Sequence, residues 1–388
     1  MRNLHNTLRL FSIALRKELW DIATSTSSVM LIVGGMVAYG VLYNMLYRPN
    51  IVREAPIVVV DNSHSHLSRH LVSLVDASPS AEIVDVATDI GDARTILSRG
   101  DAEAILYLPH DMEQRIGRGE QAVFVTISST ATFLYYEATV GAIMEAMLTL
   151  GEDVRPDMLW TLPTPLVATL SSRNTPKVVG NALFNPTKGY ADYLLPVVFV
   201  IIIFQTMVMV VSMNSGGRRA QSVTPLRGRC VGFGGRLTVT LARSATYCAI
   251  YGALSLFLVG LLPRIFNLPH LATAWELVAL MFPFMLATSL FGQAFGRLFR
   301  DREAPIVLIT FFSVGLIFLA GVSYPLELLP LGWRMIHYIF PTSPATLAFV
   351  ELESMGSSLA DIAPQLVTLW LQAVGYLLIA TLPSRDFR

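Results

Sequence analysis

Three histidines, His64, His66 and His70, fall within seven residues of DNSHSHLSRH and are the nearest the chain comes to a metal-ligating cluster. They lack cysteines or a carboxylate cluster at ligand spacing, so a zinc site does not follow. Asp61, Asn62 and Ser63 just before them read as strand-end and helix-cap chemistry, which makes the histidines solvated residues at a helix start. Cys230 and Cys248 are the only cysteines; one sits in an arginine-rich stretch and the other inside an apolar run. Neither position offers an oxidising compartment, and both are expected free. GxSxG, HExxH and a glycine-rich phosphate loop are all missing from the sequence. No catalytic, cofactor-binding or metal residue is therefore expected in this chain.

What chemistry remains is that of charge and of isolated polar groups. Arg218, Arg219, Arg227, Arg229 and Arg236 crowd one short stretch between two apolar runs. Arg9, Arg16 and Lys17 sit off an apolar stripe of Leu4, Leu8, Phe11, Leu15 and Leu19, the pattern of an amphipathic helix lying in a membrane interface. Gln205 stands alone among Ile, Val and Met; an amide there should face protein or a cavity rather than lipid. Met209 and Met213, close by, offer adaptable apolar surface. Arg243 lies inside an apolar run near one end, where snorkelling is the expectation and pairing with a carboxylate the alternative.

The elements that must hold these groups are membrane spans. Of 388 residues, 53% are hydrophobic and 14% charged, well below the quarter usual in soluble domains, and the mean hydropathy is +0.55. Net charge is zero, which argues against nucleic acid as a partner. Between Asp192 and Arg218 lie 25 residues without a charge, more than the roughly 20 needed to cross a bilayer core. Similar runs predict six spans: one over 28–47 and five within 191–384. An interfacial helix occupies 1–27. Residues 48–190 alternate short strands with short helices and predict an α/β domain, with strands at 55–61, 81–87, 102–109 and 121–128. A cytoplasmic loop covers 214–236, and a proline-broken external segment dips back into the membrane edge over 325–364. Short segments assigned to the inside carry 14 Lys and Arg and the two short outside segments only Arg264 and Arg334. Both termini are thus expected in the cytoplasm. The fold class expected is an α-helical polytopic membrane protein of six transmembrane helices with an inserted α/β extracytoplasmic domain.

Five stretches, in order, resemble the permease subunits of type-2 ABC exporters, in the subgroup with a large domain after the first span. They are ALRKELWDI (14–22), APIVVVDNSHSHLSRHLVSLVDASP (55–79), LFNPTKGYADYLLP (183–196), VTPLRG (223–228) and GVSYPLELLPLGWRMIHYIFPTSP (321–344). The likeness covers nearly the whole chain. One departure stands out. The family usually has acidic residues and a glycine-threonine pair before the threonine-proline, where this chain reads NSGGRRAQSV (214–223). Contact with the ATPase is then altered, or made mainly by a partner permease.

The resemblance implies a half-transporter in the bacterial inner membrane. It would pair with a second permease subunit, as homodimer or heterodimer, and be driven by an ABC ATPase subunit that carries ATP and magnesium. Membrane lipids surround it, and a periplasmic adaptor is a further contact open to the external domain. Drug-like, amphiphilic or lipid cargo would move outward. Arg9, Arg16, Lys17, Arg218, Arg219, Thr224, Pro225 and Arg227 become candidates for coupling to the ATPase, and Gln205, Met209 and Met213 for the pathway or dimer interface. A secondary transporter and a membrane sensor with an external ligand domain are the rival readings. The first would show an inverted repeat or buried midplane charges; the second leaves five further spans unexplained.

Overall fold

A charge-free run in hydrocarbon can satisfy its backbone only by coiling on itself, and the apolar runs of this chain are helical. The computed structural model describes residues 2–118, 120–160, 185, 189–216, 232–268, 270–299 and 301–382. In chain order these give α1 (Arg2–Thr24) and α2 (Thr26–Leu46). Next come β1 (Ala55–Asp61), α3 (His66–Asp76), β2 (Ala81–Val86), α4 (Ile90–Arg99) and β3 (Ala104–Leu108). These lead to α5 (Met112–Gly117), β4 (Val125–Ser128) and α6 (Phe133–Trp160). After them come α7 (Tyr190–Gly216), α8 (Phe233–Ile265), α9 (Ala274–Gly296), α10 (Ala304–Leu319), α11 (Leu331–His337), α12 (Thr342–Glu353) and α13 (Ala363–Thr381). Five of these, α2, α7, α8, α9 and α13, are long and apolar enough to cross a membrane. The chain forms two units, residues 51–181 and the remainder.

The smaller unit is built on a four-stranded sheet of order β2-β1-β3-β4, with β1 parallel to both neighbours and β4 antiparallel at the edge. Parallel strands covered on both faces read as continuous apolar runs, and Ile57, Val58, Val59 and Val60 are all fully buried. Ile57 and Val59 point to a core with Leu71 and Val75 of α3 and Ile143 and Ala146 of α6. Val58 and Val60 point the other way, to Ala93 of α4. The crossovers end cleanly. Ser65 and Ser68 form a reciprocal cap on α3, and Gly100 takes the left-handed conformation at φ 81° after α4.

In the larger unit α7 is the hub. It packs against α2, α9, α10 and α12, and its side chains are buried almost throughout. Small residues permit the closest approaches, as in other membrane bundles. A Cβ on Gly296 would lie 2.6 Å from the Ser212 carbonyl oxygen, and one on Gly40 of α2 only 2.5 Å from a Leu258 methyl of α8. The start of α7 is capped from far away. Asn50 Oδ1 accepts the Ala191 N–H at 2.8 Å and the Asp192 N–H at 3.3 Å, while Asn50 Nδ2 donates to Asp192 Oδ2 at 2.8 Å. The exit of α2 is thereby fastened to the beginning of α7 and satisfies amides that a helix start leaves open. Asn185 closes the approach, exchanging two hydrogen bonds with the Gly189 backbone.

Beyond α10 the chain turns at Gly321, φ 82°, and returns through α11 and α12. The turn is held by side chains on main-chain oxygens. His337 Nδ1 is 2.6 Å from the Leu319 carbonyl, Gln372 donates to Tyr338, Tyr376 to Ile339 and Tyr193 to Val322. Burial holds the His337 imidazole below its ordinary pKa, against the pull of that carbonyl.

Candidate functional site

Helix α1 lies along α8 with Phe11, Ala14 and Leu15 against Val239 and Ala242. Its apolar stripe is split by this packing. Leu8, Leu19 and Trp20 face outward, as suits residues at a bilayer surface, while Glu18 turns inward and is only 3% exposed. A buried carboxylate must be paired, and Glu18 is. Its Oε2 lies 3.6 Å from Arg243 Nε of α8, and Tyr247 of α8 donates to Oε1 at 2.8 Å. The contact corrects the snorkelling expected of Arg243, whose side chain is 14% exposed. The reason is that α1 brings its carboxylate against the same helix, so the guanidinium needs no route to water.

The network continues across the unit. Asn214, near the end of α7, donates to the Tyr247 hydroxyl at 3.0 Å. Asn214 Oδ1 accepts from Ser28 of α2 and from Arg302, which precedes α10, each at 3.4 Å. Glu18, Arg243, Tyr247, Asn214, Ser28 and Arg302 thus join α1, α8, α7, α2 and the lead into α10. Beside this network, Gln293 and Ser289 of α9 hydrogen-bond Ser244 of α8 at 2.8 and 3.2 Å, and Ser212 donates to the Gly292 carbonyl at 3.0 Å. Arg297 binds the Ile379 and Leu382 carbonyls, satisfying the open end of α13. The groups hold helices to one another, with Glu18 as the contribution of α1.

Of the sequence candidates, Arg9 and Arg16 are exposed on α1 and Lys17 is half-buried, 3.9 Å from Asp21 one turn on. Arg9 also lines a polar groove of about 570 Å³ with Asn6, Thr7 and the start of α8 at Gly234, Gly235 and Thr238. Arg218, Arg219, Thr224, Pro225 and Arg227 lie outside the described residues, as does Cys230. Cys248 is free. Gln205 is half-buried within a stretch of α7 that is otherwise enclosed, and Met209 and Met213 are buried in the chain's own core. In the smaller unit, Asp61 accepts from the Ser63 and His64 amides and from Ser68, and His70 lies 3.1 Å from Asp153.

Glu18, Asn214 and Tyr247 were not singled out from the sequence. A signal was there. Glu18 is the one acid on the buried face of Phe11, Ala14, Leu15 and Ile22, and Arg243 is the matching charge inside an apolar run.

No curated protein matches the chain. Residues 26–382 match the model of a family described as ABC-2 family transporter protein, from the first span to the last helix. Permeases of that family are membrane subunits that associate with an ABC ATPase subunit, where ATP hydrolysis resides. The charged and amide side chains buried among apolar helices are therefore those of a multi-pass membrane protein, and the chain belongs to the ABC-2 family of transporter proteins.

Proposed function

We propose that this chain is the permease half of an ATP-driven exporter. It moves a drug-like, amphiphilic or lipid substrate out of the bacterial cytoplasm or inner membrane. Six crossings serve it, α2, α7, α8, α9, α10 and α13, with both termini inside and residues 48–190 outside. At 16 residues α10 reaches about 24 Å and needs the turn beyond it to complete its crossing. Two such chains, alike or not, enclose the pathway, with Gln205 as its polar group and Met209 and Met213 packed behind. ATP and magnesium stay on the partner ATPase, and a periplasmic adaptor can meet the external domain.

The observation that carries this reading is the buried relay from α1. The ATPase pushes on the exposed side of α1, where Arg9 and Arg16 lie with the half-buried Lys17 beside them, and on the loop at 214–236. Glu18 passes the displacement to Arg243 and Tyr247, and Asn214 passes it to α7, the hub. Exposed ion pairs are worth about 0–1 kcal/mol and desolvated ones at an interface cost about 2–5 kcal/mol when truncated. Changing Arg218 and Arg219 together to alanine should accordingly spare insertion but weaken retention of the ATPase or lower its stimulated hydrolysis. The test is ATPase activity and substrate transport of the reconstituted complex, measured together for wild type and Glu18→Gln. The substitution should keep the ATPase bound but uncouple hydrolysis from transport. Full coupling in Glu18→Gln would sink the relay, and hydrolysis by the purified permease alone would sink the exporter reading.

A further inference from the structure

Between α8 and α9 runs a groove of about 610 Å³ that the relay does not touch. That volume is in the range of small-molecule sites. Its walls are Ser255, Leu256, Val259, Leu277, Met281 and Met285, and its mouth is framed by Leu256, Val278 and Phe282, each at least half exposed. Those residues lie within spans, so the groove opens onto hydrocarbon, not water. It is long in the direction of the helices. Cys248 lines one end and Arg264 the other, 16 residues apart on α8, or about 24 Å. Two glycines make it deep, since a Cβ on Gly252 or Gly260 would meet nothing within 4 Å.

Only the Arg264 end is charged. Arg264 is exposed at the close of α8 and has no ion-pair partner among the described residues. Beside it, His270 Nδ1 sits 2.8 Å from Glu353 Oε2, with Glu353 2% exposed. Whichever of the two holds the shared proton, that pair adds no net charge. Burial raises the Glu353 carboxyl to about 8, against a smaller opposing pull from Arg264, and burial with Arg264 lowers the imidazole, favouring the neutral form of each. Glu276, at the start of α9, is turned into the cap of that helix, where it accepts from Thr273. The groove is thus a long apolar slot with a cation at one end.

We propose that the slot holds an acyl chain of an anionic phospholipid whose head group rests on Arg264. This occupant has the slot's length, its apolar body and the opposite charge at the right end. A zwitterionic lipid matches the first two and not the third. The proposal rests on the membrane-spanning character of the chain and is independent of the direction or cargo of transport.

The test is native mass spectrometry of the full-length protein after brief exposure to phosphatidylglycerol, phosphatidylcholine of the same chains, or glycerol phosphate. Wild type should retain one phosphatidylglycerol roughly tenfold more tightly than phosphatidylcholine, the scale of one charge-assisted hydrogen bond. Arg264→Gln should erase the preference, and Arg264→Lys should keep most of it. Gly252→Leu and Gly260→Leu should each lose the retained lipid of both kinds while leaving the melting temperature intact, because the new side chain enters empty space. Equal retention of the two lipids by wild type would mean an ordinary annular lipid and overturn the proposal. So would an unchanged preference in Arg264→Gln. Binding of glycerol phosphate as tight as that of the lipid would reduce the slot to an anion site.

Discussion

Glu18 and Arg243 lie in surroundings that neither could occupy alone. Removing one partner of a buried pair costs about 3–5 kcal/mol, because the remaining charge stays desolvated. Glu18→Ala and Arg243→Ala should each lower the thermal midpoint in detergent, and the double variant should lose clearly less than the sum. Additive losses would show that the pair is uncoupled. Glu353 makes a second residue-scale prediction. Its carboxyl is raised to about 8 by burial, so the folded chain binds more protons than the unfolded one between the two values. An unfolded histidine is half protonated at pH 6.5, so the lowered His270 works the other way there, and that opposing contribution fades about one pH unit higher. Stability should therefore fall as pH rises from about 7.5 to 8, by at most about 1.4 kcal/mol per unit. Glu353→Gln should flatten that slope in melts across the pH series; an unchanged slope would place its origin elsewhere.

At the scale of elements, helix contacts depend on what is absent as much as on what is present. Gly296 of α9 sits against the α7 backbone at Ser212, where a side chain has nowhere to go. Gly296→Val should cost about 1–3 kcal/mol as overpacking, measured as a lower midpoint, whereas Gly375→Ala on α13, which faces open space, should not. A Gly296→Val protein as stable as wild type would mean that the two helices are not pressed together there. Much of this level was legible beforehand. The charge-free run after Asp192 is α7, and 55–61 is β1 to the residue. The strand at 121–128 shortens to Val125–Ser128, since only its end pairs with β3. After β4 the chain runs as one helix, Phe133–Trp160, which continues past Gly151. The polar relay was not legible, because it joins residues up to 229 positions apart whose partners no periodicity connects. Arg243 was visible as an oddity, but its meaning lay on another helix.

For the whole molecule the first question is sidedness. In a chain lacking Cys230 and Cys248, a cysteine at Ser222 should react with an impermeant reagent only from the cytoplasm, and one at Asn62 only from outside. Reaction of both from one face would defeat the six-crossing arrangement. The Asn50 cap on α7 bears on a different matter, the order in which the protein is made. Asn50 and Ala191 are 141 positions apart, which at about 5–20 residues per second is roughly 7–28 s of synthesis. Through that interval the ribosome has delivered α2 and every strand of the sheet, yet the hub helix does not exist. The strands of the sheet and the helices that cover them are thus all available to close before the hub helix is made. Asn50 then waits at the membrane surface as a ready-made seat for the next helix to emerge.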